Sequence, residues 1–250
     1  MWNNVRQMNF AASVLHALLL LLLLAAGGYW LIHRPGFALG EIRIDGDTEH
    51  MSVPIVRAGL NQRLGGNFFT VDLDVARQAF EQMPWVRHAS VRRVWPNVLA
   101  VTLDEYKPLG TWGSDQLVSV DGELFTANQG ELEGKLPAFD GPLGSAKEVV
   151  ERYHDFRKWF APLGATPEEV TLSPRYAWTV KLSNGTQVEF GRERNAQTLL
   201  DRSQRLTSAW SAVTQRWGKD IEYADLRYPN GFAIHAAGMR VISEADKGKK

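Results

Sequence analysis

The chain has 250 residues, with 28 Lys and Arg against 28 Asp and Glu, no net charge and no cysteine. A neutral balance argues against nucleic acid as the partner, because phosphate contacts supply most of that affinity and demand a basic excess. Without thiols, thiolate zinc sites, disulfide frameworks and cysteine catalysis are excluded.

The first element is the run FAASVLHALLLLLLLAAGGYWLI, Phe10 to Ile32, which holds no Asp, Glu, Lys or Arg. About 20 apolar residues suffice for a helix to cross a bilayer. Tyr29 and Trp30 stand at one end, where aromatic belts form, and Pro35-Gly36 end the helix. Ala26-Gly27-Gly28 offers small residues for a signal-peptide cut. The apolar run nevertheless continues through Leu31 and Ile32, which favours an uncleaved anchor. Both readings put the bulk of the chain across a membrane. Arg6 and Arg34 oppose one another as orientation signals, but a short tail on one side and a long domain on the other point to the large part as the exported one. His16 lies within the span, where a polar residue can join helices.

A first block follows the anchor, to about Lys107. EIRIDG alternates like a strand and ends on an Asp45-Gly46 turn. Ser52 precedes a helix with Pro54 in its first turn and Val53, Val56, Leu60 and Leu64 on one face, stopped by Gly65-Gly66. Asp72 caps a second helix with the stripe Ala76, Ala79, Phe80 and Met83, ended by Pro84. The stretch PWVRHASVRRVWPNVLAVTL, residues 84–103, interleaves arginines with aromatics as a nucleic-acid groove would. Its parity and the Pro96-Asn97 turn make it a β-hairpin, whose arginine stems shield apolar neighbours.

The second block, to about Arg240, is richer in strands. Three hairpin turns are expected at Asp121-Gly122, Asn184-Gly185 and Asn230-Gly231. Tyr176 and Trp178 fall on an alternating strand. Ser145 and Glu148 form a capping box before a helix carrying Val149, Val150, Tyr153, Phe156, Trp159 and Phe160, closed by Pro162 and Gly164. Leu199, Leu206, Trp210, Val213 and Trp217 mark one face of a later helix over roughly 195–217. Both helices should lie on a sheet, so the fold class is α+β.

Few residues suggest chemistry. Asp72 and Asp74 are paired carboxylates, but a helix start uses both as caps. The six histidines are scattered, and His88 and His154 fit surface or packing roles. No nucleophile elbow, phosphate loop or dinucleotide glycine pattern occurs. Asn184-Gly185-Thr186 matches a glycosylation sequon and is explained more simply as a turn. The chain therefore lacks the marks of an enzyme, a cofactor binder or a metal protein. Its last strand, within GFAIHAAG, is the exception. No later apolar strand follows to cover its edge, and Gly231–Gly238 contains no Lys, Glu or Asp to blunt it. Such an edge can receive a partner's strand.

Together, IRIDG, MPWVRHASVRRVWPNVLAVTLDEYKPLGTW, LVSVDGELF, LSPRYAWTVKLSNG and IEYADLRYPNG resemble the FtsQ/DivIB family of bacterial cell-division proteins. The W-P-x-x-L-x-V-x-L-x-E-x-x-P pattern within them marks POTRA domains more broadly. The resemblance implies a cytoplasmic tail (1–10), a transmembrane helix (11–33), a POTRA domain (40–107), a mixed β domain with flanking helices (108–240) and a disordered tail (241–250). It further implies a non-enzymatic scaffold of the inner membrane, at the division septum, with its C-terminal domain periplasmic. Such a scaffold gathers FtsB and FtsL, and other divisome proteins such as FtsK, FtsW and FtsI, and helps control septal wall synthesis. Carried over by position, the partner-facing residues are Arg175, Arg227, Tyr228, Asn230, Gly231 and Ala233, with FtsB adding a strand to the last strand. A second recruitment surface on the POTRA hairpin involves His88, Val91 and Arg93. Ala236 stands where the family carries an aromatic, which affects the lower rim of the contact. The competing readings are a POTRA component of outer-membrane assembly or secretion, which would need a long barrel downstream, and a membrane-anchored peptidoglycan-binding module.

Overall fold

The structure is a computed structural model that describes residues 5–32, 34–60, 65–132, 134–195, 197–218 and 220–237. Between Glu105 and Tyr106 the chain divides into two compact units.

The first unit opens with helix α1 (Val5–Ile32), which starts ahead of the expected span and buries no residue. It is long and apolar enough to cross a membrane. His16 Nδ1 lies 2.7 Å from the carbonyl of Ala12, so one of its two ring nitrogens has a partner within the helix. After a 3-10 turn (Pro35–Phe37) come β1 (Glu41–Gly46), α2 (Val53–Leu60), α3 (Leu73–Glu81), β2 (Val86–Val94) and β3 (Val98–Glu105). The sheet order is β1-β3-β2, with β1 parallel and β2 antiparallel to β3. The helices bury Val56, Leu60, Ala76, Ala79, Phe80 and Met83 against Ala89, Leu99, Val101 and Leu103 of the sheet. Of the residues expected on these helices, Leu64 lies outside the described residues. Asp72 caps α3 as expected, its carboxylate accepting from the amides of Asp74 (2.9 Å) and Val75 (3.1 Å). At the far end of the sheet the buried Glu105 accepts the His50 amide and pairs with His50 Nδ1 at 2.9 Å. The His50 ring stacks on Trp85 at 4.0 Å, and Trp85 holds a left-handed φ of 70°.

The second unit runs β4 (Pro108–Trp112), β5 (Gln116–Ser119), β6 (Leu124–Phe125), β7 (Ala138–Asp140), α4 (Ala146–Phe160), β8 (Pro167–Leu172), β9 (Ala177–Leu182), β10 (Gln187–Arg192), α5 (Thr198–Trp217), β11 (Ile221–Asp225) and β12 (Ala233–Ala236). All its strands join one nine-stranded sheet, β12-β11-β10-β9-β8-β7-β4-β5-β6. It is mixed: β4–β7, β7–β8 and β10–β11 pair in parallel, the rest antiparallel. Phe156 and Phe160 of α4, Leu199 and Leu206 of α5, and Trp178, Val180, Val188 and Phe190 of the sheet form one core. Phe156 meets Phe190 at 4.9 Å and Trp178 at 5.9 Å between ring centroids.

Five expectations change here. The two tighter hairpins close through three-residue loops, with Gly122 (φ +79°) and Gly185 (φ +87°) in the left-handed position that Asp121 and Asn184 precede. The third connection is longer, because β11 stops at Asp225 and β12 begins only at Ala233. Ser145 precedes α4 but makes no side-chain cap; its hydroxyl donates to the Pro142 carbonyl at 2.7 Å, so the capping box does not form. Tyr176 stands before β9 rather than on it, with φ +57° and its amide closing a turn onto the Ser173 carbonyl. On α5 the apolar face fades toward its end, where Trp217 is exposed. The tail after Ala237 lies outside the described residues.

Candidate interaction edge

Strand β12 ends the nine-stranded sheet. Among the described residues its one strand neighbour is β11, with Ala224 opposite Ile234 and Asp225 opposite Ala233. The Ala237 amide donates to the Asp220 carbonyl at 2.9 Å. Amides along a strand alternate in direction, so those of His235 and Ala233 also turn toward β11. The N–H and C=O groups of Ile234 and Ala236 then turn outward, along the outer edge of the sheet. Side chains alternate as well. Ala233 and His235 are exposed, Ile234 packs on the core, and Ala236 is 1% exposed. Ala236 thus belongs to the interior face of the strand.

Before β12 the chain forms an open, largely apolar hollow of about 430 Å³, lined by Tyr228, Pro229, Asn230, Gly231, Phe232 and Ala233. Tyr228 is exposed and Phe232 half-buried against the core. Arg205 of α5 fixes this loop, donating to the carbonyls of Tyr228 (2.9 Å) and Gly231 (3.2 Å). Arg202, one turn earlier, donates to the carbonyls of Phe190 and Arg192. Burial and the neighbouring Arg194 and Arg205 lower the Arg202 pKa.

Arg227 already has a partner. Its Nε and Nη2 reach the two carboxylate oxygens of Asp225 at 2.8 and 2.7 Å, and its amide donates to Oδ1 at 3.0 Å. These bonds hold the Asp225 carboxyl below the usual carboxylate range, against the opposing effect of burial, and raise Arg227 further. Gly191, in a β-bulge with φ +71°, makes room for this arginine; a Cβ there would stand 2.9 Å from Arg227 Cγ. Tyr223, inward along β11, has its pKa raised by burial and by Glu189 and Asp225.

Register brings most of the expected residues to one end of the sheet. Ala177 pairs with Arg192, Glu189 with Asp225, and Asp225 with Ala233. Arg175, in the exposed turn before β9, therefore shares that end with Arg227, Tyr228, Asn230, Gly231 and Ala233. Three strand spacings, about 14 Å at 4.8 Å each, separate β9 from β12. Sequence reasoning missed Arg205, Arg202 and Asp225. An arginine on the polar side of an amphipathic helix carries no sign of the distant loop it will hold. Asp225, two residues before Arg227, was a legible signal for a local pair.

On the hairpin of the first unit, His88, Val91 and Arg93 serve three different contacts. His88 Nδ1 pairs with Glu81 at 2.9 Å. Val91 packs on the core. Arg93 donates to the carbonyls of Phe69 and Val71. Among the described residues, no three His, Asp or Glu side chains converge as a cation site requires. The glycosylation sequon is taken up by the fold: Thr186 is fully buried and its hydroxyl donates to Ile221.

Comparison with known proteins gives a consistent picture. Residues 37–106 match the model of the FtsQ-type POTRA domain, and residues 110–227 that of the FtsQ/DivIB C-terminal domain. Over its whole length the chain is 80% identical to the cell division protein FtsQ of Burkholderia pseudomallei, and covers all of that protein. The FtsQ of Bordetella pertussis is 46% identical, with 96% of this chain and 94% of that one covered. That of Nitrosospira multiformis is 40% identical, over 96% of this chain and all of the relative.

Proposed function

The chain belongs to the FtsQ/DivIB family of cell-division proteins, and on that premise we propose that it is a divisome scaffold that works by binding rather than by catalysis. Helix α1 anchors it in the inner membrane at the septum, with residues 1–10 cytoplasmic and both following domains periplasmic. Its chief partners are FtsB and FtsL, and it also meets other membrane proteins of the divisome such as FtsK, FtsW and FtsI. Through them it helps control septal wall synthesis.

The observation that carries this reading is the outer edge of β12. An FtsB strand adds to it through the outward groups of Ile234 and Ala236. Tyr228 and the hollow beside it receive an apolar side chain, and Arg175 supplies a charge at the same end of the sheet for a partner carboxylate. Arg227 takes part by exchange or sharing, since Asp225 already holds it. The hairpin residues His88, Val91 and Arg93 belong to a second recruitment surface; their separate contacts make the exposed edge of β2, rather than one side-chain face, its basis.

A photo-crosslinking residue at Tyr228 in living cells tests this, with Lys158 on α4 as control. An adduct to FtsB at 228 and none at 158 supports strand addition. A folded, septum-localised protein with no specific adduct at 228 refutes it. Binding to isolated sacculi would instead favour a peptidoglycan-binding module. An outer-membrane assembly role fits poorly, because the second unit is an open sheet covered by two helices rather than a barrel.

A further inference from the structure

We propose that one end of the first unit seats in the interfacial layer of the bilayer that α1 crosses, with Phe69 and Trp95 as its anchors. The inference rests on the reading that α1 spans the membrane. The chain emerges at Ile32, and the fold folds back onto that point. Asn67 donates through Nδ2 to the Ile32 carbonyl at 2.7 Å, satisfying one of the free carbonyls that end the helix. The Phe68 amide donates to Phe37 at 2.9 Å, and the Phe37 and Phe69 rings meet at 5.0 Å. The Gly40 amide donates to Asn97 at 3.0 Å, which draws in the β2–β3 turn. Arg93 ties that turn to the 67–71 loop through Phe69 and Val71. The loop and the turn are thus fixed beside the last turn of α1.

Depth follows from length. The apolar run from Phe10 to Ile32 covers about 35 Å at 1.5 Å per residue, against a hydrocarbon core of about 30 Å, so Ile32 lies at its boundary. Groups hydrogen-bonded to Ile32 share the interfacial zone. Tyr29 and Trp30 occupy it on the helix itself, with the Arg34 guanidinium 3.9 Å over the Trp30 ring.

The side chains presented at this end suit it. Trp95 is 74% exposed and Phe69 45%. Residues 35–40, 65–71 and 95–97 contain no Asp, Glu, Lys or Arg. The opposite end of the same sheet carries Asp45, Asp47, Glu49, Asp104 and Glu105. The ends of β3 (Val98–Glu105) are about 23 Å apart at about 3.3 Å per residue. An aromatic end flanked by Arg34 and Arg93 beside the membrane helix, and an acidic end pointing away, is the polarity expected of a domain resting on lipid headgroups.

The absence of cysteine in the sequence allows a direct test. Single-cysteine variants of the full chain, Phe69→Cys, Trp95→Cys, Leu24→Cys and Glu49→Cys, are nitroxide-labelled and reconstituted in phosphatidylethanolamine–phosphatidylglycerol vesicles. Collision with oxygen, which concentrates in lipid, is compared with collision with a water-soluble nickel chelate. The expected result is loss of nickel access and gain of oxygen access at both 69 and 95, following the label at 24, with 49 behaving as in water. Water-like access at either 69 or 95, with 24 in lipid, overturns the proposal alone. Water-like access at 24 removes the spanning helix and the proposal with it. A label at 69 or 95 shielded from both reagents marks protein contact and also overturns it. Should a variant not fold, Ala38→Cys at the same end takes its place.

Discussion

Replacing Ile234 by proline separates the two edges of β12. The alternation of amides set by the Ala237–Asp220 bond turns the Ile234 N–H away from β11. Proline there leaves the β11 ladder intact and removes one outward donor. A backbone hydrogen bond contributes about 0.5–1.5 kcal/mol net, and the partner carbonyl left unpaired costs about 1–3 kcal/mol. At 1.4 kcal/mol per tenfold, affinity for the periplasmic segment of FtsB falls about 10- to 100-fold. The half-buried Ile234 also loses some packing on the core, on the order of 1 kcal/mol for about one methylene. That lowers Tm by about 2–4 °C for a chain of this size. His235→Pro behaves differently, because its amide faces β11 and its loss unzips the strand. Calorimetric titration of the detergent-solubilised full chain with the FtsB segment reads both variants. Undiminished binding by a folded Ile234→Pro protein would refute the assignment of the outward groups.

Arg205→Ala removes two charge-assisted bonds to the 228–231 loop. Those bonds are partly exposed, so about 1–2 kcal/mol of loop order is lost, seen as weaker FtsB binding with little change in Tm. Phe156→Ala empties the centre of the second core and should cost about 3–5 kcal/mol in denaturant unfolding. Glu105→Ala orphans the His50 amide within the first unit, a loss of about 1–3 kcal/mol in the same measurement. Asp225 gives a pH dependence. Its folded pKa lies below its ordinary value near 3.8, so its stabilisation is fully present above that value. It is lost as pH falls through the folded pKa. Asp225→Asn should therefore lose less Tm than the parent as pH is lowered from about 5 to below the ordinary carboxylate range; an equal loss would contradict the pairing with Arg227.

Much of the fold was legible locally. The stripe of α3, its Asp72 cap, and the alternation on either side of Pro96-Asn97 are short-range signals, and each forms as read. That the last strand stands at the end of its sheet was legible from the order of the apolar segments, and among the described residues β12 has that place. Signals that depend on distant partners were not. That β4 pairs β7 in parallel, joining two groups of strands into one sheet, has no local mark. Ser145 has the residue type of a cap, but the turn before α4 offers its hydroxyl a nearer acceptor in Pro142. Tyr176 fits an alternating pattern, yet the chain needs a left-handed residue to enter β9. Of the edge itself, Tyr228 and Gly231 were readable as an aromatic and a turn residue, while the arginine that fixes them comes from a helix remote in sequence.

Amide hydrogen exchange at Ile234 and Ala236 tests strand addition most directly. The account predicts rapid exchange at both in the free protein, slow exchange once the FtsB segment is bound, and little change at His235, whose amide already faces β11. Unchanged exchange at 234 and 236 in a saturated complex would contradict it and move the partner to another surface.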